Sequence, residues 1–338
     1  MGGERRNGDR NSLADAADDG MGALWGQGTP TVASVLTSSP EERAALVALL
    51  RARPGGATWP QMTAEVADSG SALEVWRRHS PLELFDAHSV GDVDTLADAM
   101  RDINAWDAAD FTFLTFADAS YPAQLRDVHQ FPPVLFSRGE LRQSDRAISI
   151  VGSRSASDRA LNEARDIARM LVEQDVTILS GLARGIDTVA HLAALDAGGR
   201  TVAIIGSGIT RYYPAENREL QDRIASDGLL LSQFWPDSSP TRHTFPMRNA
   251  VMSAYGCATI VVEASEASGS RIQARLAVEH GRPVILTEAV ARGTHWGRAL
   301  VGRPCVSVAT TPADAVEAAC AAIAVRDEFV DLLAIAVE

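Results

Sequence analysis

After Asp145 the chain alternates short apolar, β-branched runs with amphipathic stretches. AISIVG (147–152) has the pattern of a buried strand, and DRALNEARDIARMLVEQ that of a helix. VTILSG (176–181) is a second strand, followed by the helical GIDTVAHLAALDAG, which Gly198 closes. TVAIIGSG (201–208), LLLSQF (229–234) and ATIVVEA (258–264) continue the strands. SRIQARLAVEHG is again helical, PVILTE and PCVSVA contain further strands, and a last helix begins at Pro312. Continuous apolar strands separated by amphipathic helices predict an α/β fold with a doubly wound parallel sheet, Rossmann-like in kind.

The first third reads differently. Residues 1–30 are polar and rich in Gly and Asp, the composition of a disordered tail. Helical periodicity starts at Ser39-Pro40-Glu41-Glu42, a cap and acidic first turn, and continues to about residue 106. Residues 111–141 hold a strand, a Tyr-Pro turn and a second short strand before Gly139.

Composition narrows the chemistry. All 31 basic residues are arginine, so a lysine Schiff base or a P-loop lysine is excluded. The formal charge of -13 argues against a generally basic nucleic-acid surface. It is unevenly spread: residues 1–146 carry 22 Asp and Glu against 13 Arg, while the remainder carries 22 against 18. A polyanion site must then be a local pocket in the second part. No run approaches the ~20 apolar residues of a membrane helix, and the polar N-terminus has no signal-peptide core, so a cytoplasmic protein is expected. Cys257, Cys305 and Cys320 form neither a metal pattern nor a disulfide framework and are expected in the core.

The candidate chemistry lies where strands end, since ligands of open parallel sheets bind at the carboxyl ends of strands. One strand ends in Gly152-Ser153-Arg154, the next in Ser180-Gly181 with Arg184 and Gly185 following. A third ends in Gly206-Ser207-Gly208 with Arg211 nearby, and the strand ending at Glu263 leads to Ser268-Gly269-Ser270. Glycine lets amides approach an anion, serine adds a hydroxyl, and arginine pairs phosphate oxygens. Each turn alone is an ordinary corner; four on one edge argue for a phosphate site. A G-x-G-x-x-G fingerprint with an acidic ribose partner is absent, as is a P-loop. Arg184 either touches phosphate or pairs with Asp187 to stiffen its turn. Asp187 suits a helix N-terminus, His191 a packed interior, and Glu263 could accept hydrogen bonds from a base or a hydroxyl. Tyr212, Tyr213, Phe234 and Trp235 would either stack bases or pack under loops.

Five stretches in order, ISIVGSR, SGLARGIDTVAH, AIIGSGITRYYPAEN, FPMRN and SGSRIQARLA, resemble the DNA-processing protein A (DprA, also called Smf) family over residues 111–286. The resemblance implies an extended Rossmann domain over 107–325, a helical, SAM-like module over 31–106 and a tail over 326–338. It further implies a strand-end pocket for single-stranded DNA, loading of a RecA-type recombinase, protection of single strands in DNA uptake, and a homodimer. No catalysis, cofactor or metal is implied. By position, Gly152, Ser153 and Arg154 would make a first phosphate turn, and Ser180, Gly181, Arg184 and Gly185 a second. Arg211 stands where members often carry a basic residue. Arg248 and Asn249 keep the centre of the F-P-R-R-N-R pattern, and Ser268, Gly269 and Ser270 match the S-G-S turn.

The sequence also departs from that pattern. Met247 and Ala250 replace two arginines, Gln273 a threonine, and TEAV (287–290) a Pro-Gly turn. A C-terminal winged helix is not apparent. Two other classes share the strand-end logic: a SLOG-like sensor binding a small nucleotide in the same pocket, and a LOG-type nucleotide-processing enzyme. S-G-S-R-I-Q in place of P-G-G-x-G-T disfavours the enzyme.

Overall fold

Short polar caps start the helices and apolar runs pair into one sheet. The computed structural model describes residues 38–79, 90–129 and 131–337; the expected tail over 1–30 lies outside them. Four helices come first, α1 (Pro40–Ala52), α2 (Trp59–Ser69), α3 (Ala72–His79) and α4 (Val90–Asp107). Strands β1 (Thr112–Thr115), β2 (Val134–Gly139) and β3 (Ala147–Val151) follow, then α5 (Asp158–Glu173), β4 (Thr177–Ser180), α6 (Ile186–Asp196) and β5 (Thr201–Ile204). Next come α7 (Arg218–Asp227), β6 (Leu229–Ser232), α8 (Thr244–Tyr255), β7 (Ala258–Val261) and α9 (Gly269–Glu279). The series closes with β8 (Val284–Thr287), α10 (Glu288–Gly293), α11 (His295–Leu300), β9 (Val306–Ala309) and α12 (Pro312–Val337).

Of the serine caps, the one at Ser39 is announced by the sequence. Ser39 accepts from the Glu42 amide with Pro40 in the first turn of α1, Ser157 caps α5 and Ser268 caps α9. Each satisfies an amide that helix geometry leaves without a partner.

The nine strands run β1-β2-β6-β5-β4-β3-β7-β8-β9. From β6 to β9 all pairs are parallel, while β2 joins β1 and β6 antiparallel. The chain moves outward from β3 through β4, β5 and β6, then returns to add β7 on the other side of β3. That reversal is the topological switch of a doubly wound sheet, with a crevice at the carboxyl ends flanking β3. The predicted fold class holds, and β1 and β2 extend the sheet on the β6 side.

The core is aliphatic. Ile148, Ile150, Ile178 and Ile260 from the strands meet Ala164, Ile167, Leu171, Ala190 and Ile323 from α5, α6 and α12. At the amino ends of the strands, buried Asp145 accepts from Thr177 Oγ1 (2.6 Å), Arg200 Nε (3.0 Å) and the Tyr255 hydroxyl (3.0 Å), tying β3, β4, β5 and α8 together. This leaves the carboxyl ends free to carry loops.

Two expectations need correction. Cys257 is buried, but Cys320 is half-buried and Cys305 exposed, the latter with φ of 62°. It lies in the turn before β9, the last strand of the sheet, where little covers it. The residues expected to form a tail from 326 instead continue α12 to Val337. Trp235 and Phe234 pack rather than present free faces: Phe234 is buried, and Trp235 stacks on Trp106 (centroids 5.8 Å apart) and meets Trp59 edge-on. Among the described residues, no helix is long and apolar enough to cross a membrane.

Candidate functional site

The carboxyl ends of β3, β4, β5 and β7 frame a cleft in two halves, each of about 380 Å³. One half carries Tyr212, Tyr213, Pro214, Arg184 and Gly206. The other is rich in hydroxyls and amides, with Ser153, Ser155, Ser268, Ser270 and Asn249 beside Gly152, Gly269 and Gln273. Arg154, Ala183, Phe245 and Arg248 line both, so the halves are contiguous. Arg154 is exposed, and its guanidinium lies over the Phe245 ring, 5.4 Å from the centroid.

Arg248 forms the floor. It projects from α8 and is only 6% exposed. Its Nη1 donates to the Ile204 carbonyl at 3.0 Å, and its Nε has no partner. Burial lowers its pKa and Asp187 opposes that shift. A desolvated guanidinium with an unmet donor is costly unless an anion arrives.

The strand-end glycines make room for these side chains. A Cβ on Gly181 would fall within the Arg248 guanidinium, and one on Gly206 would lie 2.9 Å from the Phe245 ring. A Cβ on Gly152 would meet Ile186 Cγ1 at 2.5 Å. Gly185 has φ of 77°, the left-handed region that suits glycine.

The second turn differs from its expected role. Asp187 Oδ2 accepts from the Gly181 amide (3.1 Å) and the Ala183 amide (3.3 Å). Those donors therefore already hold an anion, one belonging to the chain. Burial, the dominant influence, raises the Asp187 pKa. Ser180 is fully buried and its hydroxyl donates to the Ile150 carbonyl at 2.6 Å, away from the cleft. Arg184 does not pair with Asp187: its Nε lies 3.4 Å from Glu216 Oε1, and its side chain is 64% exposed.

The third turn contributes only Gly206. Ser207 is buried, and Gly208 packs against the carbonyls of Trp235 and Pro236. Arg211 Nε donates to the Asp237 carbonyl at 3.0 Å. Ser207, Gly208 and Arg211 thus stand apart from the cleft lining. Glu263 is also occupied, accepting from the Ser157 amide (3.0 Å) and hydroxyl (2.6 Å), which pins the loop after β3 to β7. His191 is wholly buried, as its packed reading requires.

The hydroxyl-rich half brings together Gly152, Ser153, Arg154, Arg248, Asn249, Ser268, Gly269 and Ser270. Ser268 Oγ accepts from the Ser270 amide at 3.2 Å, and Asn249 Nδ2 donates to the Gly269 carbonyl at 3.3 Å, holding α8 against α9. The N-terminus of α9 faces this half and adds a partial positive charge. Met247, at one arginine position of the family pattern, is 43% exposed, and Ala250 is half-buried. Sequence reasoning missed Phe245, whose ring lines both halves. It also missed that Asp187 takes the amides of its own turn, although a carboxylate in the first turn after a glycine loop was the available signal.

Comparison with known proteins covers the same segment. A family model described as DNA recombination-mediator protein A matches residues 112–301. A DNA processing protein DprA of Streptococcus pneumoniae is 39% identical over 175 residues, spanning 52% of this chain and 62% of that protein. A Protein Smf of Synechocystis is 41% identical over 177 residues, 51% of this chain and 44% of that one. The matches thus cover less than two thirds of either relative. Among solved structures, DprA from S. pneumoniae aligns with a TM-score of 0.64 at 26% identity, covering 83% of this chain and 98% of that one. DprA from Helicobacter pylori, solved to study its single-stranded DNA binding mode, shares the fold with a TM-score of 0.54 at 23% identity, covering 61% and 94%. With more than half its length matched by the family model, and with the strand-end cleft lying inside that match, the chain belongs to the DNA recombination-mediator protein A family.

Proposed function

We propose that the cleft binds single-stranded DNA by its phosphodiester backbone, and that the protein serves recombination by protecting single strands and delivering them to a RecA-type recombinase. The observation that carries this reading is Arg248, a buried guanidinium with an unpartnered Nε at the junction of both half-clefts. Arg154 above it and the α9 N-terminus beside it supply further attraction for phosphate. Tyr213, 41% exposed, offers a face for an unpaired base. The DprA of H. pylori, which shares this fold, has a single-stranded DNA binding mode, and that supports the same ligand class. The protein acts as a cytoplasmic homodimer that binds without transforming its ligand. Exposed Val325, Phe329 and Leu332 on α12 give a second copy apolar surface to cover.

A second reading, binding of a small nucleotide as a signal, is favoured by one observation. Met247 stands where the family pattern has an arginine, which removes one cation from the path of a strand leaving the cleft. Anisotropy titration of labelled oligo-dT at several salt concentrations separates the two. Single-strand binding predicts a log-log salt slope of about -0.7 per phosphate contacted. Absence of binding at low salt would reject the DNA reading.

A further inference from the structure

We propose that Asp187 tunes the cleft to accept a singly charged phosphodiester and to reject a doubly charged terminal phosphate; the inference rests on the anion-binding reading above. Three guanidinium groups line the cleft, those of Arg154, Arg184 and Arg248, together with two carboxylates, Asp187 and Glu216. The excess is one positive charge, to which the α9 N-terminus adds a fraction. Glu216 offsets Arg184 at 3.4 Å. Asp187 sits at the floor, 5% exposed, holding the Gly181 and Ala183 amides that would otherwise face a ligand.

This arrangement discriminates by charge and by donors. An interior diester linkage carries one negative charge, which the excess neutralises. A terminal phosphate carries about -1.5 to -2 near neutral pH. Its second charge would enter a partly buried space already holding the Asp187 carboxylate, with the two nearest amides taken. Like charges at such range in a low-dielectric site oppose binding. The ligand class is therefore the phosphodiester, whether within a strand or in a cyclic nucleotide.

The test uses the intact protein and thymidine 5′-monophosphate against its methyl ester, which differ by one ionisable oxygen. Each displaces labelled oligo-dT, with direct calorimetry in parallel. Near pH 7.5 the methyl ester is expected to bind about tenfold more tightly than the monophosphate, a difference set by one unmatched charge. At about pH 5, below the second phosphate pKa of about 6, the monophosphate becomes singly charged and the ratio falls towards one. The facing groups are Asp187, Glu216, Arg154, Arg184 and Arg248, and protonation of the buried Asp187 on acidification narrows the ratio in the same direction as protonation of the ligand.

Asp187→Asn is expected to narrow the ratio at the higher pH. If that variant fails to fold, equal affinities in the wild-type protein near pH 7.5 still overturn the proposal. Equal affinities near pH 7.5, or a ratio that neither acidification nor Asp187→Asn changes, overturn the proposal. If the diester binds calorimetrically and oligo-dT does not, the single-strand reading fails while charge selection stands, with 3′,5′-cyclic thymidine monophosphate as the next ligand. If nothing binds, both fail.

Discussion

The Arg248 guanidinium occupies the space that a side chain on Gly181 would need. One residue lies at the end of β4 and the other in α8, 67 positions apart in the sequence. Their fit explains why that strand ends in glycine more directly than an amide-phosphate contact does, since the Gly181 amide is given to Asp187.

Gly181→Ala is therefore expected to displace Arg248 and weaken single-strand binding by about 1–3 kcal/mol, the range for losing a charge-assisted contact. The sharper measurement is a double-mutant cycle. In an Arg248→Ala background the methyl group has room, so Gly181→Ala should cost much less. Additive losses would separate the two residues.

Arg154 and Arg184 both follow strand-end turns but stand differently. Arg154 lies over the Phe245 ring, whereas Arg184 is exposed and compensated by Glu216. Arg154→Ala should lose about 1–3 kcal/mol of oligo-dT affinity and reduce the salt slope by about 0.7. Arg184→Ala should lose less than about 1 kcal/mol, as expected when a compensated surface charge is removed. Parallel titrations at three salt concentrations check both, and the reverse order would dismantle the site as described.

The alternating strands and helices after Asp145 were legible because six parallel strands, β3 to β8, are buried throughout and so contain only apolar residues and small hydroxyl side chains, with no charge among them. The carboxyl-edge position of Gly152, Arg154 and Ser268 followed from that. What local pattern could not reveal was which donors remain free. Ser180 and Gly208 look like their neighbours in sequence, yet one bonds to the β3 backbone and the other packs under the loop after β6. Those outcomes depend on strand order, which periodicity leaves open. The run to Val337 in α12 was read as a tail because its exposed Val325, Phe329 and Leu332 give no buried stripe to detect.

Met247 tests whether the rim is short of charge. At 43% exposure its side chain has room to be longer and solvated. Met247→Arg should steepen the salt slope by about 0.7 and raise oligo-dT affinity at low salt. An unchanged slope would place the strand away from this part of α8.

His191 links the floor of the cleft to stability. Its Nδ1 lies 2.6 Å from Thr201 Oγ1, and that hydroxyl donates to the Ile178 carbonyl. The Thr201 oxygen must then accept, which places the imidazole proton on Nδ1 and leaves Nε2, also buried, without a partner. Burial, reinforced by Arg248, lowers the His191 pKa to about 3. The unfolded chain titrates near 6.5, so between these values it takes up a proton that the folded chain refuses. The contribution to stability is fully present above about pH 6.5 and is lost as the pH falls towards 3, amounting to about 2 kcal/mol by pH 5. His280, lowered to about 4 by burial, acts in the same direction. Asp187, raised by burial, acts oppositely, because protonating it relieves a cost of folding. Denaturant unfolding of wild type and His191→Gln between pH 7.5 and pH 5 isolates the histidine. The variant should lose up to about 1.4 kcal/mol per pH unit of the dependence, and an unchanged slope would assign the acid sensitivity to other groups.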